Sequence, residues 1–164
     1  MPSADKLKKS ERRFWTEYFA ALPPARRPRR PSVHAACAGD AKITDGLIAL
    51  YLAGKKSAGS GLVKDYRTAG DPLPKVGDYW IVLDSRRRPR LLLKTVRVEI
   101  NIFKDIPKRI AVAEGEGDLS VAHWKRVHER FYSSFLNKWG IENIDDAEVI
   151  TEHFELVHRA RIEP

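Results

Sequence analysis

The chain has a single cysteine, Cys37, in 164 residues. That excludes an intramolecular disulfide framework and fits a reducing, cytoplasmic setting. No apolar run approaches the roughly 20 residues that a membrane span requires, so no membrane partner is expected. The first residues lack the apolar core of a secretory leader. The five histidines are scattered, and neither they nor Cys37 show zinc-site spacing. No internal repeat is present. The order G-x-x-x-x-G-K-[ST] is also missing, which excludes a P-loop.

What is present is a chain that is 43% hydrophobic, enough for one domain with a substantial core. The net charge is +8. Residues 1–34 alone contribute +6, from nine lysines and arginines against Asp5, Glu11 and Glu17, which leaves +2 for the other 130 residues. This basic N-terminal extension has two readings that stay open: an arm for nucleic acid, or a solubilising tail. Within it, residues 1–9 read as disordered. Ser10 is placed to cap a helix over about 10–22, whose Phe14, Trp15, Tyr18, Phe19 and Leu22 form an apolar stripe. "LPPARRPRRPS" follows. Its four prolines forbid a helix interior, so residues 23–31 are expected as an extended linker with solvated arginines.

Residues 35–164 read as the main domain. A helix is expected over about 41–53, burying Ile43, Leu47, Ile48, Leu50, Tyr51 and Leu52, with Gly54 after its end and Lys55 and Lys56 answering its dipole. Residues 57–61 read as a flexible Gly/Ser turn whose backbone N–H groups suit close approach to a phosphate or base. "YWIVL", residues 79–83, reads as a strand, "SRRRPR" as a basic hairpin turn, and residues 91–103 as one long strand or two. In that run Thr95, Arg97, Glu99 and Asn101 alternate with Val96, Val98, Ile100 and Ile102, the pattern of a sheet wet on one face. A short turn or helix over 104–112 leads to "AEGEGD". Ser120 is an N-cap for a helix over about 121–139, with Trp124, Val127, His128, Phe131, Tyr132 and Phe135 as its apolar stripe. A last strand covers about 147–157. Strands without regular helical crossovers exclude a doubly wound sheet. The expected class is α+β: a small, mostly antiparallel β-barrel decorated by helices.

"LAGKKSA", "DPLPKVGDYWIVLD" and "AEGEGDLSVAHWKRVHERFY" together resemble the ASCH family of PUA-like barrels, over roughly Arg12 to Arg161. The most specific of these stretches is the acidic glycine loop followed, within one helix, by a tryptophan and a histidine four residues on. The resemblance implies a curved barrel with a cleft between the Lys56 loop and the AEGEGD loop, and RNA or a nucleoside as ligand. Activities known in the family include RNA cleavage and hydrolysis of the amide of N(4)-acetylcytidine. Of the family signature G-x-K-x-x-T-x-R, Gly54 and Lys56 match, but Gly59 and Gly61 stand at the threonine and arginine positions. In the deacetylating branch a Lys–Thr–Glu arrangement acts. Lys56 matches its lysine and Glu116 its glutamate, while Ser57 and Ser60 are the nearest hydroxyls to the missing threonine.

The candidate catalytic residues are Lys56, as phosphate partner or acid/base, Glu116, as base or counter-charge, and His128, as proton shuttle or core histidine. Glu114 and Asp118 are expected to serve structure or the next helix's dipole, or else to join Glu116 on a hard cation such as magnesium or manganese. Ser57, Ser60, Tyr66, Tyr79, Arg86, Arg87 and Arg88 are candidate substrate-binding residues, the tyrosines for base stacking and the arginines for phosphate. Three functions compete: a single-stranded-RNA-binding ribonuclease, a small-molecule hydrolase acting on acetylated cytidine, and a binding module without chemistry.

Overall fold

In the computed structural model, residues 6–161 are described. Residues 1–5, where disorder was expected, lie outside that range. The chain divides into two compact units, one of residues 6–52, 76–96 and 154–161 and one of residues 53–75 and 97–153.

In the first unit, helix α1 spans Lys9–Ala21. It begins before Ser10, and the Glu11 carboxylate accepts the Lys8 backbone N–H at 2.8 Å. Leu7 just ahead is ordered and buried. The predicted stripe is the packed face. Phe14, Trp15 and Tyr18 are buried against Val33, Tyr79, Ile81 and Leu92, with Phe19 and Leu22 at the margin. The proline-rich stretch makes one 3-10 turn at Pro24–Arg26, and Arg27 donates back to the carbonyls of Ala20 and Leu22. Strand β1, Val33–Cys37, runs parallel to β3, Tyr79–Leu83. The second helix, α2, is Thr44–Leu52, shorter than expected, with Ile48 and Tyr51 buried but Ile43 and Leu52 exposed. The Thr44 hydroxyl explains the register: it donates to the Leu83 carbonyl at 2.7 Å and accepts the Ala38 N–H at 3.0 Å.

The second unit begins with β2, Ala58–Leu62, and α3, Val63–Ala69. The strand corrects the flexible turn expected over 57–61, and the helix is an element that the sequence reading did not expect. Glycine weakens a strand locally, but β2 pairs antiparallel with the final strand along its whole length, Ala58 opposite His153 and Leu62 opposite Val149. Buried Ala58 and Leu62 anchor its two ends. Three further helices follow: α4 Lys108–Glu114, α5 Val121–Tyr132 and α6 Leu136–Trp139. The long helix expected over 121–139 is thus two, with a turn over 133–135 between them. The core here is Leu62, Phe103, Ile106, Ile110, Trp124, Tyr132, Trp139 and Val149. Each fully buried large side chain in such a core contributes about 1.5–3 kcal/mol.

Two strands run through both units: β4, Pro89–Ile102, and β5, Glu148–Arg159. The hydrogen-bonded order is β1-β3-β4-β5-β2. β3/β4 and β2/β5 are antiparallel, so the sheet is mostly antiparallel within an α+β fold. The alternation in β4 departs from the expected sense at several positions, although Arg97 is exposed as expected. Val96 and Ile100 are 45% and 49% exposed, whereas Thr95 is buried and Glu99 half-buried. On the polar face Glu99 is well partnered: it accepts from His153 Nε2 at 2.8 Å and pairs with Arg109 and Arg97. Among the described residues no helix is long and apolar enough to cross a membrane.

Candidate functional site

All three residues predicted as catalytic lie in the second unit, and the chain's local geometry brings them together. Gly115 ends α4 with φ +69°, and its N–H donates to the Ala111 and Val112 carbonyls. A Cβ on Gly115 would lie 1.9 Å from the Lys55 carbonyl oxygen. Only glycine permits that approach. The Ser57 N–H then donates to the Ala113 carbonyl at 2.7 Å, which fixes the residues before β2 against the end of α4.

Lys56 is thereby placed on the acidic loop. Its Nζ donates to Glu116 Oε1 at 2.8 Å, Glu114 Oε2 at 3.2 Å and the Glu114 carbonyl at 3.3 Å. The Lys56 and Glu114 side chains are 4% and 3% exposed, and that of Glu116 is 26% exposed. Glu114 is held further by Trp124, whose Nε1–H donates to Oε1 at 2.8 Å. Burial alone would raise the Glu114 carboxyl. The charges of Lys56 and His128, with hydrogen bonds from Ser60 and Trp124, outweigh it and hold the group below the ordinary carboxylate range.

His128 stacks on Trp124 with ring centroids 3.8 Å apart. Its Nδ1 lies 2.8 Å from the Trp124 carbonyl, which can only accept, so Nδ1 carries a proton. Nε2, 3.6 Å from Glu114 Oε2, therefore bears a hydrogen only in the imidazolium form. One turn on, the Tyr132 O–H donates to the Ser60 carbonyl at 2.9 Å, and burial pushes that phenol up, so it stays a donor. The Ser60 hydroxyl lies 2.8 Å from that of Thr151. Lys56, two carboxylates, an imidazole and a hydroxyl pair thus form one cluster. Its formal charge is −1 with His128 neutral and zero with the imidazolium.

The sequence reading needs correction at several residues. Glu114, assigned to structure, is the buried centre of the cluster. Trp124 is structural as expected, but it also orients Glu114. Asp118 lies outside: its Oδ1 accepts the Ser120 N–H at 2.9 Å, while the Ser120 hydroxyl caps α5 by accepting from His123 N at 3.0 Å. The three carboxylates therefore do not converge on a cation. Among the described residues no group of three or more His, Cys, Asp or Glu could hold a metal ion. Tyr79 is 3% exposed in the first unit's core, edge-on to Trp15 at 5.0 Å, so it offers no face to a base. Tyr66 is half-buried against Gly61, where a Cβ would come within 3.3 Å of its ring. Ser57 is exposed, and its hydroxyl donates to Ala113 O at 3.4 Å. Arg86, Arg87 and Arg88 belong to the first unit. Arg88 is committed to Asp84 at 2.8 Å, whereas Arg86 and Arg87 are exposed. Thr151 and Tyr132 were not singled out as site residues. Their signal was weak, a lone strand threonine and one aromatic of an apolar stripe.

Residues 34–158 match the ASCH domain family. The chain belongs to that family. Among solved structures, this ASCH domain is similar to an ASCH domain from Lactobacillus crispatus JV V101, with TM-score 0.82, 26% identity and coverage of 93% of this chain and 96% of that one. It is also similar to a protein of Enterococcus faecalis V583, with TM-score 0.73, 26% identity and coverage of 88% and 85%. A search of curated protein sequences gives no significant match. The ASCH domain is PUA-like and is thought to bind RNA, so the family points to nucleic acid in general as ligand.

Proposed function

We propose that this ASCH domain binds single-stranded RNA and cleaves it at the Lys56–Glu114–Glu116–His128 cluster. The observation that carries this reading is a nearly buried ammonium shared between one fixed carboxylate, Glu114, and one reachable carboxylate, Glu116. Glu116 takes the proton of a ribose 2′-hydroxyl. The O2′–P bond forms and the P–O5′ bond breaks, leaving a 2′,3′-cyclic phosphate. As Glu116 lets go of Lys56, one ammonium donor turns to a non-bridging phosphate oxygen, where charge develops. The imidazolium of His128 gives its Nε2 proton to the departing O5′. Glu114, fixed by Trp124, keeps Lys56 in place throughout. Exposed arginines such as Arg26, Arg29, Arg30, Arg86 and Arg87 supply salt-sensitive attraction for the polyanion.

The test is a gel assay of the purified protein with a labelled single-stranded RNA, in magnesium, manganese and EDTA, with Lys56→Ala, Glu116→Gln and His128→Gln. Cleavage is expected to survive EDTA and to be lost in Lys56→Ala, while most binding remains. Full cleavage by Lys56→Ala would refute the assignment. A shifted but intact RNA in every lane would make the protein a binding module.

One observation favours a second reading. Although Gly59 stands at the family threonine position, the Ser60 hydroxyl lies 2.8 Å from that of Thr151 and helps to hold Glu114 low. A cluster whose lysine is already compensated also suits a neutral nucleoside amide. Release of cytidine from N(4)-acetylcytidine, lost in Ser60→Ala, would establish that hydrolase. No release at high protein concentration would dismiss it.

A further inference from the structure

The basic turn between β3 and β4 faces a groove that the proposed reaction does not use. The groove has a volume of about 470 Å³ and lies wholly in the first unit. That is the size of a site for a nucleotide-sized ligand. One wall is the apolar edge of α2, Ile48, Ala49 and Leu52, and the other carries Arg86, Arg88 and Arg90.

The carboxylates in this groove are already engaged. Asp84, buried at the base of the turn, accepts the backbone N–H groups of Arg86 at 3.0 Å and Arg88 at 2.9 Å. Its Oδ2 also accepts Arg88 Nε at 2.9 Å and Arg90 at 3.4 Å. Asp45, on α2, accepts the Ser85 N–H at 2.9 Å and hydroxyl at 2.6 Å. Three guanidinium groups thus face two carboxylates, a surplus of one positive charge. Asp84 orients two of the guanidinium groups, and the Arg86 side chain extends into solvent. Across from them Leu52 is an exposed leucine at a helix end. A cationic wall opposite a small apolar edge, Ala49 and Leu52, is complementary to a phosphate joined to a flat ring.

We infer that this groove holds one nucleotide unit of the RNA strand, its phosphate on Arg86 and Arg90 and its base against Ala49 and Leu52. This rests on the RNA reading above but not on the cleavage chemistry. It assigns Arg86 and Leu52 to recognition together, one reading charge and the other an apolar ring face.

Binding of a fluorescent single-stranded RNA to the full chain is measured across a salt series, for the native protein, Arg86→Ala, Leu52→Ser and Lys56→Met. Both altered groove side chains are exposed, so the fold should survive, and circular dichroism checks this. Arg86→Ala is expected to weaken binding several-fold and to lower the salt slope by about one counterion. Leu52→Ser is expected to weaken binding with no change of slope. In parallel, amide shifts of labelled protein are followed with a 5′-phosphorylated dinucleotide and with inorganic phosphate. The dinucleotide should move residues 48, 49, 52 and 86, and phosphate only the turn. RNA binding with native affinity and slope in both groove variants would overturn the groove and leave the RNA reading intact. Absence of any RNA binding by the native protein, with no dinucleotide shifts, would overturn both.

Discussion

Replacing Lys56 by methionine keeps the side-chain length and removes the charge. Glu114 then loses its ammonium partner at 3.2 Å, in a site where its own side chain is 3% exposed. At an effective dielectric near 20, a pair at that distance is worth about 5 kcal/mol. The carboxylate has an escape, however: it can take up a proton. From an ordinary glutamate value of 4.5, doing so at pH 7 costs about 3.4 kcal/mol. The smaller figure sets the loss, so Lys56→Met is expected to cost about 3 kcal/mol at pH 7. That falls within the usual range for breaking a buried pair from one side. For a chain of this size the melting temperature should drop by about 6–12 °C.

The pH dependence gives the sign. In the variant the folded-state value of Glu114 rises above its unfolded value. A group raised in this way loses stability as pH increases between the two values, so the gap to the native protein should narrow on acidification by about 1.4 kcal/mol per pH unit. Urea unfolding at several pH values measures it. The double variant Lys56→Met, Glu114→Gln removes both charges and should recover most of the loss. A single-variant loss under about 1 kcal/mol, or one that does not change with pH, would refute the claim that Lys56 and Glu114 form a desolvated pair.

Three other outcomes follow from the same geometry. Glu114, Asp84 and Glu99 are each held below the ordinary carboxylate range, burial being outweighed by their cationic and hydrogen-bond partners. Their stabilisation is present above the unfolded values and lost as pH falls through the lower folded values. Native stability should therefore drop steeply below about pH 4, and less steeply in Glu114→Gln, as read by acid titration of circular dichroism. Gly115→Ala combines a left-handed φ with a Cβ 1.9 Å from Lys55 O, so it should cost at least about 1–3 kcal/mol in chemical denaturation and reduce any activity that depends on Lys56. Trp124→Phe removes the donor to Glu114 Oε1 and should cost about 1–3 kcal/mol, whereas Glu116→Gln, on the more exposed carboxylate, should change stability by less than about 1 kcal/mol.

How much could be read in advance depended on whether the signal was local. The strand Tyr79–Leu83, the Ser120 cap and the apolar stripe of α1 each rest on neighbours within a few residues, and all three are found. β2 rests on the distant strand β5, so its two glycines and one serine read as part of a turn. In β4 the alternation was legible but which of its residues stay exposed was not. Which face is buried depends on His153 and Arg109, which lie far along the chain and satisfy Glu99. At the site, Lys56 and Glu116 were legible through the family resemblance, because each sits in a short motif. Glu114 was assigned to structure or a helix dipole because its partners, Lys56 and His128 at one carboxylate oxygen and Trp124 at the other, are brought to it by tertiary packing.

The acidic loop of this basic chain is better understood as three carboxylates with three separate tasks, set by the glycines between them. Glu114 is the last residue of α4 and points inward, where a lysine can be buried only if a charge is buried with it. Gly115 reverses the chain, and Glu116 reaches back to the same ammonium from the solvent side. Gly117 reverses it again, with φ +58°, and Asp118 turns away to the N-terminus of α5. Alternation of acid and glycine is therefore what allows one lysine to have a permanent counter-ion and an exchangeable one. A site with only Glu114 would hold Lys56 but offer nothing to a ligand. One with only Glu116 would leave the ammonium free to leave the interior. With both, the proposed reaction has one carboxylate for a substrate to displace while the other keeps the lysine in place.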